Sequence, residues 1–173
     1  MHQPETDAMK LLTLCETLKA KAEDVTSQIL SRWTEIAEAE PWLALPPDVD
    51  FDHLPELIRG LSGAALCTEF DRGLCEDVAR IAALHGERRS REGFNDELVY
   101  REYHLLRRGM WERMKRDHGD SAIVFLATMR LDALTSLATA AALHGLHRDE
   151  VGEKRPWARV LEQLLDEWPL PRS

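Results

Sequence analysis

AIVFLATMRLDALTSLATAAALHG, residues 122–145, is the stretch that decides the fold. Its positions Val124, Ala127, Leu131, Leu134, Ala138 and Ala141 step by 3, 4, 3, 4 and 3. Only a helix of about 3.6 residues per turn brings such positions to one side, so the spacing predicts a helix with one continuous seam. The small residues Ala138 to Ala142 predict burial against a close neighbour, and Gly145 predicts the stop. Just upstream, Asp117-His118-Gly119-Asp120 ends the preceding segment and offers Asp120 as N-cap.

The same periodicity runs through the rest of the chain. From about Asp7 to Glu38, Leu11, Cys15, Leu18, Ala22, Val25, Ile29, Trp33 and Ile36 step by 4, 3, 4, 3, 4, 4 and 3, which predicts one long helix. Pro41 and Pro46-Pro47 then make a stiff connector. A second helix opens with Asp52 as N-cap and Pro55 in its first turn, with the stripe Leu54, Leu57, Ile58, Leu61 and Ala65; Gly60 and Gly63 offer a close helix approach. A third begins near Cys75, with Val78, Ala82 and His85 in line, and either ends before or continues through the polar run Glu87 to Gly93. Asn95 caps a fourth with Phe94 as staple on Val99, and its stripe is Val99, Tyr103, Leu106, Met110 and Met114. Last, Pro156 to Trp168 keeps Trp157, Val160, Leu161, Leu164 and Trp168 in register, an amphipathic helix expected to pack on its own core. No stretch alternates as a strand does. The expectation is all-α: one domain over residues 1–173, a bundle of five to six helices, arranged either globin-like or up-and-down.

With 173 residues and 44% hydrophobic composition the chain can bury a sizeable core. A net charge of −9 argues against a phosphate-backbone (nucleic-acid) binder. No uninterrupted apolar run approaches the roughly 20 residues of a membrane span, and the first ten residues lack a signal peptide's pattern. Cys15, Cys67 and Cys75 form no paired-cysteine motif and read as core thiols of a cytoplasmic protein.

Residues that carry chemistry are sparse. His144 and His147 stand three apart, but Gly145 interrupts them, and no H-E-x-x-H or Glu-x-x-His spacing occurs; the nearest substitute, Asp50 with His53, lies in the connector. A metal-dependent bundle enzyme using His144 and His147 is therefore the weakest alternative. A haem or other tetrapyrrole needs an axial histidine in apolar surroundings, for which His85 is first candidate and His104 second. A histidine on an apolar face is more often a hydrogen-bonded core residue, so no cofactor and no metal are expected. Nucleophile elbows and phosphate-cradling loops are absent, so no enzyme is expected. The pentapeptide Ala-Ala-Leu-His-Gly occurs at Ala82–Gly86 and at Ala141–Gly145, with flanks that do not continue the match; it reads as coincidence.

The most distinctive chemistry is the segment from His85 to Trp111, rich in arginine and aromatics within an acidic protein. Two readings stand. One is a solvated hinge with buried ion pairs, such as Arg88 or Arg107 with Glu102. The other is a ligand or partner site built from His85, Arg89, Phe94, Glu102, Tyr103 and Arg107, whose guanidinium forks grip a carboxylate or phosphate.

The pattern His85-Gly86, Arg89, Gly93-Phe94, then Leu98 or Val99, Glu102-Tyr103 and Leu106-Arg107 resembles the N-terminal domain of RsbT co-antagonist proteins of the RsbR/RsbRD type. Arg32-Trp33 and Asp52-His53-Leu54-Pro55-Glu56-Leu57 add to the resemblance, which covers about Leu11 to Leu143. The resemblance implies a non-enzymatic sensory domain of bacterial signalling, all-α and in related members globin-like without haem. It also implies a homodimer that modulates a STAS domain or a histidine kinase, in cis or in trans, although no output domain lies within these residues.

Overall fold

The computed structural model describes residues 7–67, 69–151 and 157–168, and these are helical with no strand among them. The helices are α1 (Asp7–Ala20), α2 (Ala22–Ala39), α3 (Leu54–Ala65), α4 (Arg72–Arg91), α5 (Asp96–His118), α6 (Ala122–Leu146), the single turn α7 (Arg148–Val151) and α8 (Trp157–Glu167), with a 3-10 turn at Pro41–Leu43. The all-α expectation holds. Among the described residues seven helices have eleven residues or more, one above the expected range, because the first seam is split.

That split falls at Lys21, whose φ of −108° and ψ of 20° leave the helical region. The chain bends without unwinding: the Lys21 N–H still reaches the Thr17 carbonyl at 3.2 Å, and its own carbonyl accepts from Val25 at 2.7 Å. The seam crosses the bend intact, with Leu11, Leu18, Ala22, Val25, Ile29, Trp33 and Ile36 all buried; the side chain of Cys15 lies outside the described residues. The bend lets α1 pack on α3 and α6 while α2 packs on α3 and α5.

Capping fixes the remaining boundaries. Asp52 does not cap α3; His53 takes that position without a side-chain bond, and Asp50 instead accepts from the Asp52 N–H at 2.8 Å, closing the turn before it. Asp71 caps α4 through Leu74 N–H at 3.0 Å, so α4 starts nearly a turn before Cys75. It runs on through the polar segment to Arg91. There Gly93, at φ +79°, takes the left-handed conformation, and the Gly93 and Phe94 N–H groups return to the carbonyls of Ser90 (3.1 Å) and Arg89 (2.9 Å). Asn95 caps α5 through Leu98 N–H at 2.9 Å, as expected. Ser121, not Asp120, caps α6 through Val124 N–H at 3.2 Å. The ends of the last segment, Pro156 and Pro169, lie outside the described residues; α8 itself packs on α6 and α4, with Trp157, Leu161, Leu164 and Trp168 buried.

α6 is the axis of the bundle and the one helix among the described residues long and apolar enough to cross a membrane. Its position explains that composition, since α1, α3, α4, α5 and α8 all pack around it. Gly145 does not stop it. Instead, Gly145 and Gly86 permit the tightest crossing in the fold: a Cβ on Gly86 would lie 1.9 Å from the Ala142 carbonyl oxygen, and one on Gly145 would lie 1.9 Å from that of Ala83. The two copies of Ala-Ala-Leu-His-Gly are thus packed on each other in a reciprocal, locally two-fold arrangement. The match that reads as coincidence in the sequence falls at a helix crossing that needs a glycine on both sides. Gly60 and Gly63, by contrast, leave ordinary or slightly tight clearance, at 3.5 Å from Ile81 and 3.2 Å from Lys19.

Candidate functional site

The Schellman turn at Gly93 and the cap at Asn95 fold the α4–α5 corner back so that α5 presents Glu102 and Tyr103 to α4. One helical turn separates His85 from Arg89, so both side chains leave α4 toward the same neighbour. Arg89 is 0% exposed and Glu102 1%. The guanidinium of Arg89 donates through Nε to Glu102 Oε2 at 3.0 Å and through Nη2 to Glu102 Oε1, a two-pronged grip. His85 Nε2 completes the carboxylate, donating to Oε2 at 2.9 Å. Arg89 also pairs with Glu92, and its guanidinium lies over the rings of Phe94 (4.8 Å) and Phe51 (5.6 Å).

His53, at the start of α3, closes the cluster from the other side. Its ring stacks on His85 with centroids 4.1 Å apart, and its Nδ1 lies 3.2 Å from Arg88 Nη1. His85 in turn meets Tyr103 edge-on at 5.7 Å. The electrostatics follow from this packing. Burial alone would raise the Glu102 carboxyl, but the hydrogen bonds and charges of His85 and Arg89 overcome it and hold it down to about 2. Burial, reinforced by His85 and Arg89, pushes His53 down to about 3, so its imidazole is neutral. Arg89 is pulled down by burial and more than restored by Glu102 and Glu92. Burial pushes the Tyr103 phenol well above its ordinary value, and its hydroxyl has no partner.

Five of the six candidate residues (His85, Arg89, Phe94, Glu102 and Tyr103) therefore converge here. Arg107 does not: it faces α6, with Nη1 3.2 Å from Asp132 and Nη2 3.4 Å from Ser136. The buried partner of Glu102 is Arg89, neither Arg88 nor Arg107. His53, Phe51 and Glu92 belong to the cluster although none was among the candidate site residues; the signal for His53 was its place in the Asp52-to-Leu57 motif.

His53, His85 and Glu102 present donor atoms within 4.8 Å of one another, the spacing of a metal site. Both Glu102 oxygens are already held by Arg89 and His85, however, and a cation there would face an enclosed guanidinium. The chemistry of this donor set is an ion-pair network. His85, the first haem candidate, has Nε2 committed to Glu102 and Nδ1 enclosed without a partner. His104, the second, is half-buried and lines a cleft of about 520 Å³ between α5 and α6 with Trp111, Met114 and Met129. His144 and His147 diverge: His147 pairs with Asp96, while His144 lines a cleft of about 700 Å³ bounded by α4, α6 and α8.

A second buried cation fastens the far end. Arg130 of α6, 0% exposed, donates to the Cys67 carbonyl at 2.5 Å and lies 5.1 Å from the Trp168 ring, tying the end of α3 to α8.

Such a chain is an all-α module whose strongest polar interactions are turned inward, holding helices together. Residues 27–166 match the family described as the RsbT co-antagonist protein rsbRD N-terminal domain, and the chain belongs to that family, a regulatory domain of signal transduction. The match begins in α2 and runs into α8, so it includes the C-terminal helix that the motif-based resemblance left out. Of the motif residues of that resemblance, His53, His85, Arg89, Phe94, Glu102 and Tyr103 meet in the buried cluster, whereas Arg32 and Arg107 pair elsewhere, with Glu112 and Asp132. No curated protein and no solved structure matches the chain.

Proposed function

We propose that this chain is a non-enzymatic sensory input domain of the bacterial cytoplasm. In this reading it self-associates through helices and modulates a STAS domain or a histidine kinase, in cis or in trans. Membership of the rsbRD N-terminal domain family supports the regulatory class. The observation that carries self-association is the outer face of α5 and α6. Phe125 there is 67% exposed, Trp111 49% and Met129 44%, large apolar side chains grouped where Trp111 and Phe125 line one cleft and Trp111 and Met129 the next. A patch of that kind on two long neighbouring helices supports a helix-to-helix dimer. The His85–Arg89–Glu102 network joins α4 to the same helix, α5, through Glu102. It holds α3, α4 and α5 in a single arrangement, so that a displacement of α5 at the interface is felt in the core.

Sedimentation of the purified chain over a range of concentrations, followed by phosphorylation assays of a histidine kinase and of a STAS-domain protein with and without it, tests the proposal. A dimer that alters phosphorylation of either output supports it. A monomer at every concentration that alters neither rejects it.

A further inference from the structure

Among the described residues Phe125 is the most exposed large apolar side chain, at 67%. It stands one helical turn from Met129 on α6, so the two side chains leave the helix on the same side. Met129 lines the cleft of about 520 Å³ between α5 and α6, and Met114 and Leu131, both buried, line it from within. The charges at its edge are already paired, Arg107 with Asp132 at 3.2 Å and Arg108 with Glu40 and Glu112 at 3.2 Å each. What the cleft offers is apolar surface, not a free charge.

An exposed aromatic ring and an apolar hole thus lie side by side on one face. Trp111 and Thr128 line both this cleft and the neighbouring one beside Phe125, so they stand between ring and hole. Half a turn about an axis through that midpoint carries ring onto hole and hole onto ring. Such a surface is self-complementary, which is what an isologous contact requires. Charge points the same way. The chain carries a net charge of −9, so most of its surface repels a second copy. The residues lining the two clefts set Arg107, Arg108 and Lys115 against Asp120 and Asp132, so the acidic excess lies elsewhere.

We propose that Phe125 of each copy enters the cleft between His104, Met114 and Met129 of the other. Trp111 and Thr128 then lie nearest the two-fold axis, and the two α6 helices run antiparallel across it. The inference rests on the self-association reading above and gives it a register. A ring seated in a pocket at the centre of an interface is the kind of contact that dominates binding.

Two variants of the full chain test that register, Phe125→Glu, which spoils the ring and keeps the hole, and Met129→Lys, which keeps the ring and spoils the hole. Each alone should weaken self-association at least about tenfold in sedimentation, the scale of a central anchor residue. Mixed, they should form a heterodimer in excess of its statistical share, read by native mass spectrometry with one variant isotopically labelled. In that heterodimer one contact is native and the other sets the new carboxylate against the new ammonium. Phe125→Ala mixed with Met129→Trp is the second pair, should either charged variant fail to fold. If the wild type associates but both mixtures stay at or below the statistical share, the register is overturned while self-association stands. A wild type that is monomeric at every concentration overturns both.

Discussion

Gly86 and Gly145 occupy equivalent places on opposite sides of one helix crossing, each lying against a backbone carbonyl of the other helix. A side chain as small as a methyl group at either position would fall 1.9 Å from that oxygen. Gly86→Ala and Gly145→Ala should therefore each destabilise by about 3 kcal/mol or more, the upper range for overpacking, because the obstructing atoms are backbone. Gly60 has room, with Ile81 at 3.5 Å and Val78 at 3.6 Å, so Gly60→Ala should stabilise by roughly 0.5–1 kcal/mol through helix propensity. Urea unfolding of the three variants checks both signs.

Breaking the buried pair from one side should cost more than removing it whole. Arg89→Met leaves Glu102 with His85 alone, and Glu102→Leu leaves the buried Arg89 with Glu92 alone; each should lose about 3–5 kcal/mol. The double variant should recover a substantial part of that sum, since neither charge is then left unpaired. A double-mutant cycle in urea measures the coupling, and strictly additive losses would contradict a direct interaction.

Acid should weaken the fold in two overlapping steps. The unfolded chain protonates His53 at its ordinary 6.5, whereas the folded chain resists until about 3, so falling pH in that window favours the unfolded state. Glu102 acts with the same sign lower down: its contribution is complete above 4.5 and is lost as pH falls to about 2. Urea midpoints measured between about pH 7 and about pH 3 should decline throughout. His53→Gln should flatten the upper part of that decline, and Glu102→Gln should remove the lower part.

On the outer face of α5 and α6, Phe125→Asp should shift the sedimentation equilibrium toward monomer. Phe125 is 67% exposed, so its replacement should change the monomer's own stability by no more than about 0.5 kcal/mol. Loss of association together with an unchanged urea midpoint separates an interface from a core defect.

The helices were legible because their seams are long. Val124 to Ala141 and Leu54 to Ala65 are buried where their spacing placed them. The bend at Lys21 was not, because the seam steps over it without a break in period and no glycine or proline marks it. Caps were misplaced by a residue or two where several acceptors compete, as at Asp120 and Ser121. The site was half legible: His85, Arg89 and Glu102 stood out as unusual chemistry, but whether they face water or each other is decided by the α4–α5 corner. His53 arrives from another helix altogether. The glycine repeat was legible as letters only. Five matching residues carry no meaning until two helices are seen to cross through them.

That crossing also constrains movement. Because each glycine seats a carbonyl, sliding α4 along α6 by one residue would drive a side chain into the opposite backbone. The pair can pivot about that point but cannot translate. It serves as the pin of the molecule, and any motion that carries a signal falls to the helices hung around it.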